Sequence, residues 1–116
     1  MKFTLYGRIP SKKNSRINTR SGRSFPSKKY TEWHNEQASA IEQLKLKSMK
    51  SPIGILIAFY MPDNRRCDLT NKAESIMDLL VDCDILEDDC WQCVNLVALC
   101  CNSVDKENPR CEITIG

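Results

Sequence analysis

The sequence predicts an α/β (α+β) domain in which one mixed sheet packs against two helices, in the element order βαβαββ. Two observations carry this. Short apolar runs of strand length alternate with two stretches of helical period, and each is bounded by Pro, Gly, Asn or Asp. The chain of 116 residues is also of single-domain size, so residues 1–116 are expected to share one core.

The elements follow in order. Lys2–Tyr6 alternates, with Phe3 and Leu5 on one face, and reads as a strand. Residues 7–26 carry Gly, Pro, Ser, Asn and basic residues without an apolar period, and read as a loop. Ser27 is an N-cap candidate for a helix to about Lys47, with Tyr30, Trp33, Gln37, Ile41 and Leu44 as its core stripe. Pro52 opens a strand over Ile53–Tyr60, apolar almost throughout and so expected in the middle of the sheet. A second helix is expected from Leu69 to Cys83, with Asn71 and Glu74 spaced like a capping box. After a turn at Asp84–Asp89, Val94–Cys101 reads as a third strand. Arg110–Ile115, alternating through Cys111, Ile113 and Ile115, reads as a final edge strand.

The net charge of +2 hides a division. Residues 1–50 hold 12 Lys and Arg against 3 Glu, whereas residues 51–116 hold 5 against 12 acids. The N-terminal half suits a polyanion and the C-terminal half suits something that needs carboxylates. The longest apolar stretch, Ile53 to Met61, is too short to cross a membrane, and MKFTLYGRIP lacks the apolar core of a signal peptide. A cytoplasmic protein without membrane partners is expected. Cys90-Trp-Gln-Cys93 has zinc-ligand or redox spacing, and would allow a small zinc-stabilised interaction protein. A second such pair is missing and His34 is the one histidine, so the seven cysteines are expected mostly as small buried hydrophobes.

The acids concentrate on the second helix. At about 100° per residue, Asp68, Asn71, Glu74 and Asp78 fall within about a third of a turn, opposite Leu69, Ala73, Ile76, Leu79 and Leu80. A solvated helix face usually mixes Lys with Glu at i,i+4, yet Glu74 and Asp78 form a like-charged pair, and Glu87-Asp88-Asp89 follows. Such carboxylates repel one another unless a cation holds them. Oxygen ligands without histidine favour Mg²⁺ or Mn²⁺, which makes Asp68, Glu74, Asp78, Asp88 and Asp89 the candidate ligands. Carboxylate-held Mg²⁺ beside arginines is the equipment of phosphodiester cleavage. Lys12, Lys13, Asn14, Arg16, Arg65, Arg66 and Asn71 are the expected nucleic-acid contacts.

MPDNRRCDLTN, ESIMDLL and ILEDD, in this order and spacing, resemble the RusA family of Holliday junction resolvases, and GRIPSKKNSR resembles that family's early Pro-Ser-Lys-Asn loop. The resemblance implies a homodimeric, Mg²⁺-dependent endodeoxyribonuclease that nicks four-way DNA junctions in recombination and repair. It places the family's first aspartate on Asp68 and the last of its Asp-Asp pair on Asp89. Two positions depart from the pattern. Thr70 stands where the family often has a second aspartate, and Glu74 where some members have lysine. Catalytic roles are therefore expected for Asp68, Glu74 and Asp89, with Glu74 replacing the missing carboxylate. Otherwise the chain would be a non-catalytic junction-binding module with a decayed metal site. Asp89 would act within its own chain or be supplied by the partner chain.

Overall fold

A computed structural model describes residues 1–12 and 15–116; Lys13 and Asn14 lie outside the described residues. The chain forms β1 (Lys2–Tyr6), β2 (Arg16–Asn18), β3 (Ser24–Pro26), α1 (Lys28–Leu44), β4 (Ile53–Met61), α2 (Leu69–Asp82), β5 (Val94–Val104) and β6 (Arg110–Ile115). Four strands make one mixed sheet in the order β1-β6-β4-β5, antiparallel except for the β4–β5 pair. Strand β4 is central, as its apolar run predicts.

Strand period explains which side of the sheet is covered. Phe3 and Leu5 of β1, Ile53, Ile55, Ile57 and Phe59 of β4, and Cys111, Ile113 and Ile115 of β6 all point into the core. They meet Ile41 from α1 and Ala73, Ile76, Leu79 and Leu80 from α2. Burying each large aliphatic chain contributes about 1.5–3 kcal/mol, so this layer is the main source of stability. The opposite face of the sheet is uncovered, and Tyr6, Leu56 and Leu96 stand exposed on it.

Several local expectations are corrected. Residues 7–26 are not all loop: β2 and β3 form a separate two-stranded sheet. Strand β6 is interior, between β1 and β4, so β1 and β5 are the edges. Its alternation reads like an edge strand because α helices cover just one face of the sheet. Helix α1 stops at Leu44, where Lys45 turns left-handed (φ 52°), and Leu44 itself is exposed. Strand β5 runs on to Val104. Of the seven cysteines Cys111 alone is fully buried, and Cys67 and Cys101 are exposed. Spacing could not tell a cysteine on a covered face from one on an open face. No helix among the described residues is long and apolar enough to cross a membrane.

Candidate active site

Helix α2 begins at Asp68, whose extended backbone (φ −94°, ψ 126°) makes it the N-cap. Asn71 and Glu74 are therefore already inside the helix and do not form a capping box. The Asp68 carboxylate caps no helix N–H; it receives Nδ2 of Asn71 at 3.4 Å. An N-cap acid left uncommitted in this way is favoured by the helix dipole and remains available to another ligand.

Two buried polar residues on the same helix fasten the N-terminal arm. Lys72 donates its ammonium to the carbonyl of Ile9 at 2.6 Å, and Ser75 donates its hydroxyl to the carbonyl of Pro10 at 2.7 Å. The Lys12 amide in turn donates to Ser75 Oγ at 2.9 Å. Lys12 then turns its ammonium onto Asp78, a contact that holds the Lys12 pKa above the ordinary lysine value. Lys72 shows the opposite shift, because burial disfavours its charged form. Sequence reasoning missed both anchors. The available signal was position: Lys72 lies three residues after Leu69 and four before Ile76, just inside the edge of the apolar arc.

The segment after α2 is folded back by its own apolar pair. Ile85 and Leu86 are buried, and their amides both donate to the carbonyl of Leu80. Met49 N donates to Ile85 O at 2.9 Å and Ser51 N to Glu87 Oε1 at 3.2 Å, so the turn runs beside the entry to β4. This brings Asp89 back along α2. An open cavity of about 510 Å³ between α2 and β5 is lined by Lys12, Thr70, Glu74, Asp78 and Asp89, with Val97 and Leu99 as an apolar wall. Glu74, Asp78 and Asp89 of one chain therefore share a cavity.

The predicted acidic stripe is thus divided between two flanks of the helix. Thr70, Glu74 and Asp78 open toward β5, whereas Asp68, Asn71 and Lys72 line a smaller cavity, about 280 Å³, with Ser11, Arg66 and Cys67. A wheel treats these positions as one face, although Asp68 and Glu74 stand about 120° apart on it; Lys12 of the arm lines the first cavity and Ser11 the second. Asp88 stands on the exposed turn, where its carboxylate accepts from the Asp89 amide at 2.8 Å. Arg65 lies against Asp63, which also pairs with Arg8; the Arg65 amide foremost, then Arg8, holds the Asp63 carboxyl below its ordinary value. Arg16 is spent on Ser24, through Nε to its hydroxyl and through a terminal nitrogen to its carbonyl. A wider cleft, about 600 Å³, lies at the far end of α2 beside Cys83 and Asp84, away from these groups.

Oxygen is the only strong ligand type that Thr70, Glu74, Asp78 and Asp89 offer, which suits a hard divalent cation. No three acidic, histidine or cysteine side chains among the described residues converge into a metal cage. A Mg²⁺ site commonly uses one or two protein carboxylates, with waters and a substrate phosphate completing its shell. The same absence applies to the Cys90–Cys93 pair as a zinc site.

The family model described as endodeoxyribonuclease RusA matches residues 7–116. The chain belongs to the RusA family. The matched span includes the arm, both cavities and the returning Asp89, so RusA membership covers the whole site and implies a junction-resolving endodeoxyribonuclease. No curated protein matches the chain.

Proposed function

We propose that this RusA-family chain is a catalytically competent, Mg²⁺-dependent resolvase that nicks four-way DNA junctions in recombination and repair in the cytoplasm. The observation that carries the reading is the shared cavity of Glu74, Asp78 and Asp89, with Lys12 at its rim. Thr70 removes one acid from the family pattern, and Glu74 on the same flank supplies another. Glu74 and Asp89 would hold Mg²⁺ (or Mn²⁺), with Asp68 acting from the adjoining cavity; the ion would activate water and neutralise charge on the leaving oxygen.

The protein's own groups do the rest. Lys12 is tied to Asp78, so its charge is kept at the cavity mouth, where a phosphate would arrive. Arg66 and Asn71 line the second cavity and extend that contact along the strand. Val97 and Leu99 give the cavity one apolar wall. We also infer a homodimer, supported by the unpaired edge of β5 and the exposed Leu56 and Leu96 beside it.

The test is incubation of pure protein with a four-way junction and a matched linear duplex, with and without Mg²⁺. Nicking of the junction that needs Mg²⁺, and that falls by at least about 100-fold in Asp68→Asn, Glu74→Gln and Asp89→Asn, supports the proposal. Tight junction binding without nicking would instead favour the non-catalytic reading.

A further inference from the structure

The β2–β3 hairpin plays no part in the site described above, and its composition is unusual for a surface ribbon. Ile17 and Phe25 are direct cross-strand partners, so they stand side by side on one face. Each keeps 43% of its surface exposed. Around them Arg16, Arg20, Arg23, Lys28 and Lys29 occur with no acid before Glu32. Lys28 faces Glu32 at 3.9 Å, and the other four are not paired with an acid among the described residues. An exposed apolar pair beside such a cationic border is matched by a ligand with apolar faces and an anionic frame. Stacked bases between phosphates have that chemistry.

The ribbon is built to hold its shape. Thr19 N donates to Arg23 O at 2.9 Å, and Gly22, at φ 81°, closes the turn by donating to Thr19 O at 3.1 Å. Arg16 braces the two strands through Ser24. At the base, Ser27 N donates to Ser15 O at 2.8 Å, and Ser27 also caps α1 by accepting from Tyr30 N. Pro26, at the end of β3, lines a cavity together with Lys12 and Asp78. The apolar pair is therefore fixed relative to the acidic cavity.

We infer that Ile17 and Phe25 form a branch-point wedge, packing against base-pair faces opened at a DNA junction while Arg20, Arg23 and Lys29 hold the flanking phosphates. The inference rests on the proposed junction substrate. In continuous duplex a wedge must first separate stacked bases, whereas at a branch the stack is already interrupted. The pair thus favours junction over duplex, a selectivity that the metal cavity does not itself supply. A second copy of the chain is a poorer occupant, because two such hairpins face to face would oppose like charges.

The test compares wild type with the Ile17→Ala/Phe25→Ala double variant and with Phe25→Trp. Binding is measured on a four-way junction carrying 2-aminopurine at the branch and on a matched linear duplex. Wild type should raise the 2-aminopurine fluorescence. The double variant should bind the junction about 5- to 100-fold more weakly, lose that signal and keep duplex affinity within about twofold. Phe25→Trp should retain both properties. An unchanged double variant overturns the wedge, and so does equal loss on junction and duplex. Conversion of a wild-type dimer to monomer in sedimentation would instead assign the pair to a protein contact. A wild type without junction preference overturns the proposed function, and the wedge with it.

Discussion

The amide of Lys12 donates a 2.9 Å hydrogen bond to the hydroxyl of Ser75, a residue with no exposed surface. Ser75 in turn donates its hydroxyl to the carbonyl of Pro10. One side chain of α2 thus ties down two backbone groups of the arm. Ser75→Ala should cost about 1–3 kcal/mol, since both groups lose a partner where water reaches poorly. Urea unfolding measures this, and a change below about 0.5 kcal/mol would mean that the arm is held elsewhere.

Lys12→Met separates the two tasks given to that lysine. With the ammonium gone, Asp78 loses its counter-charge and the cavity becomes more acidic, so Mn²⁺ should bind several-fold more tightly in calorimetry. Junction binding should weaken, and the log–log salt slope should fall by about one if Lys12 contacts one phosphate. Unchanged values for both would make the Lys12–Asp78 pair a surface ion pair and nothing more.

Because Glu74 and Asp89 of one chain line one cavity, each centre should be complete within its own protomer. Glu74→Gln and Asp89→Asn chains, co-refolded so that mixed dimers form, should therefore recover no nicking. Recovery of about one intact centre per mixed dimer would show that Asp89 reaches the partner's cavity.

Cys111 gives the alkaline limb of the stability curve a component of its own. Complete burial pushes its thiol up to about 12, against an ordinary value of 9.0. The folded state therefore keeps a proton that the unfolded chain releases. This stabilisation is whole below pH 9 and is lost as pH rises toward about 12, at about 1.4 kcal/mol per pH unit. Cys111→Val should unfold with a shallower alkaline decline than wild type between pH 9 and 11. Parallel curves would show that the thiol does not contribute.

Leu96→Lys tests the edge proposed for dimer contact. Leu96 is 63% exposed on β5, so the substitution should leave the fold intact while shifting sedimentation toward monomer. A dimer of unchanged stability would place the interface elsewhere.

Local chemistry was enough to read most of the elements from sequence. The apolar run of Ile53 to Met61, the Ser27 cap and the alternation of Cys111, Ile113 and Ile115 each depend on neighbours a few residues away. The segregation of charge and the acids of α2 are likewise local features, and they are the ground for expecting an anionic substrate and a cation. What the sequence could not decide depends on contacts between distant residues. The interior place of β6 follows from pairing with β1 and β4, which alternation alone does not specify. The β2–β3 hairpin lacks apolar period because it covers no core. Asp68 and Glu74 line different cavities, each of which also takes a residue from an arm more than 50 residues away. Asp89 lines the same cavity as Glu74, after Ile85 and Leu86, drawn into the core, have turned the chain back. Sequence spacing records which side chains a helix can present; tertiary packing decides which of them face the same space.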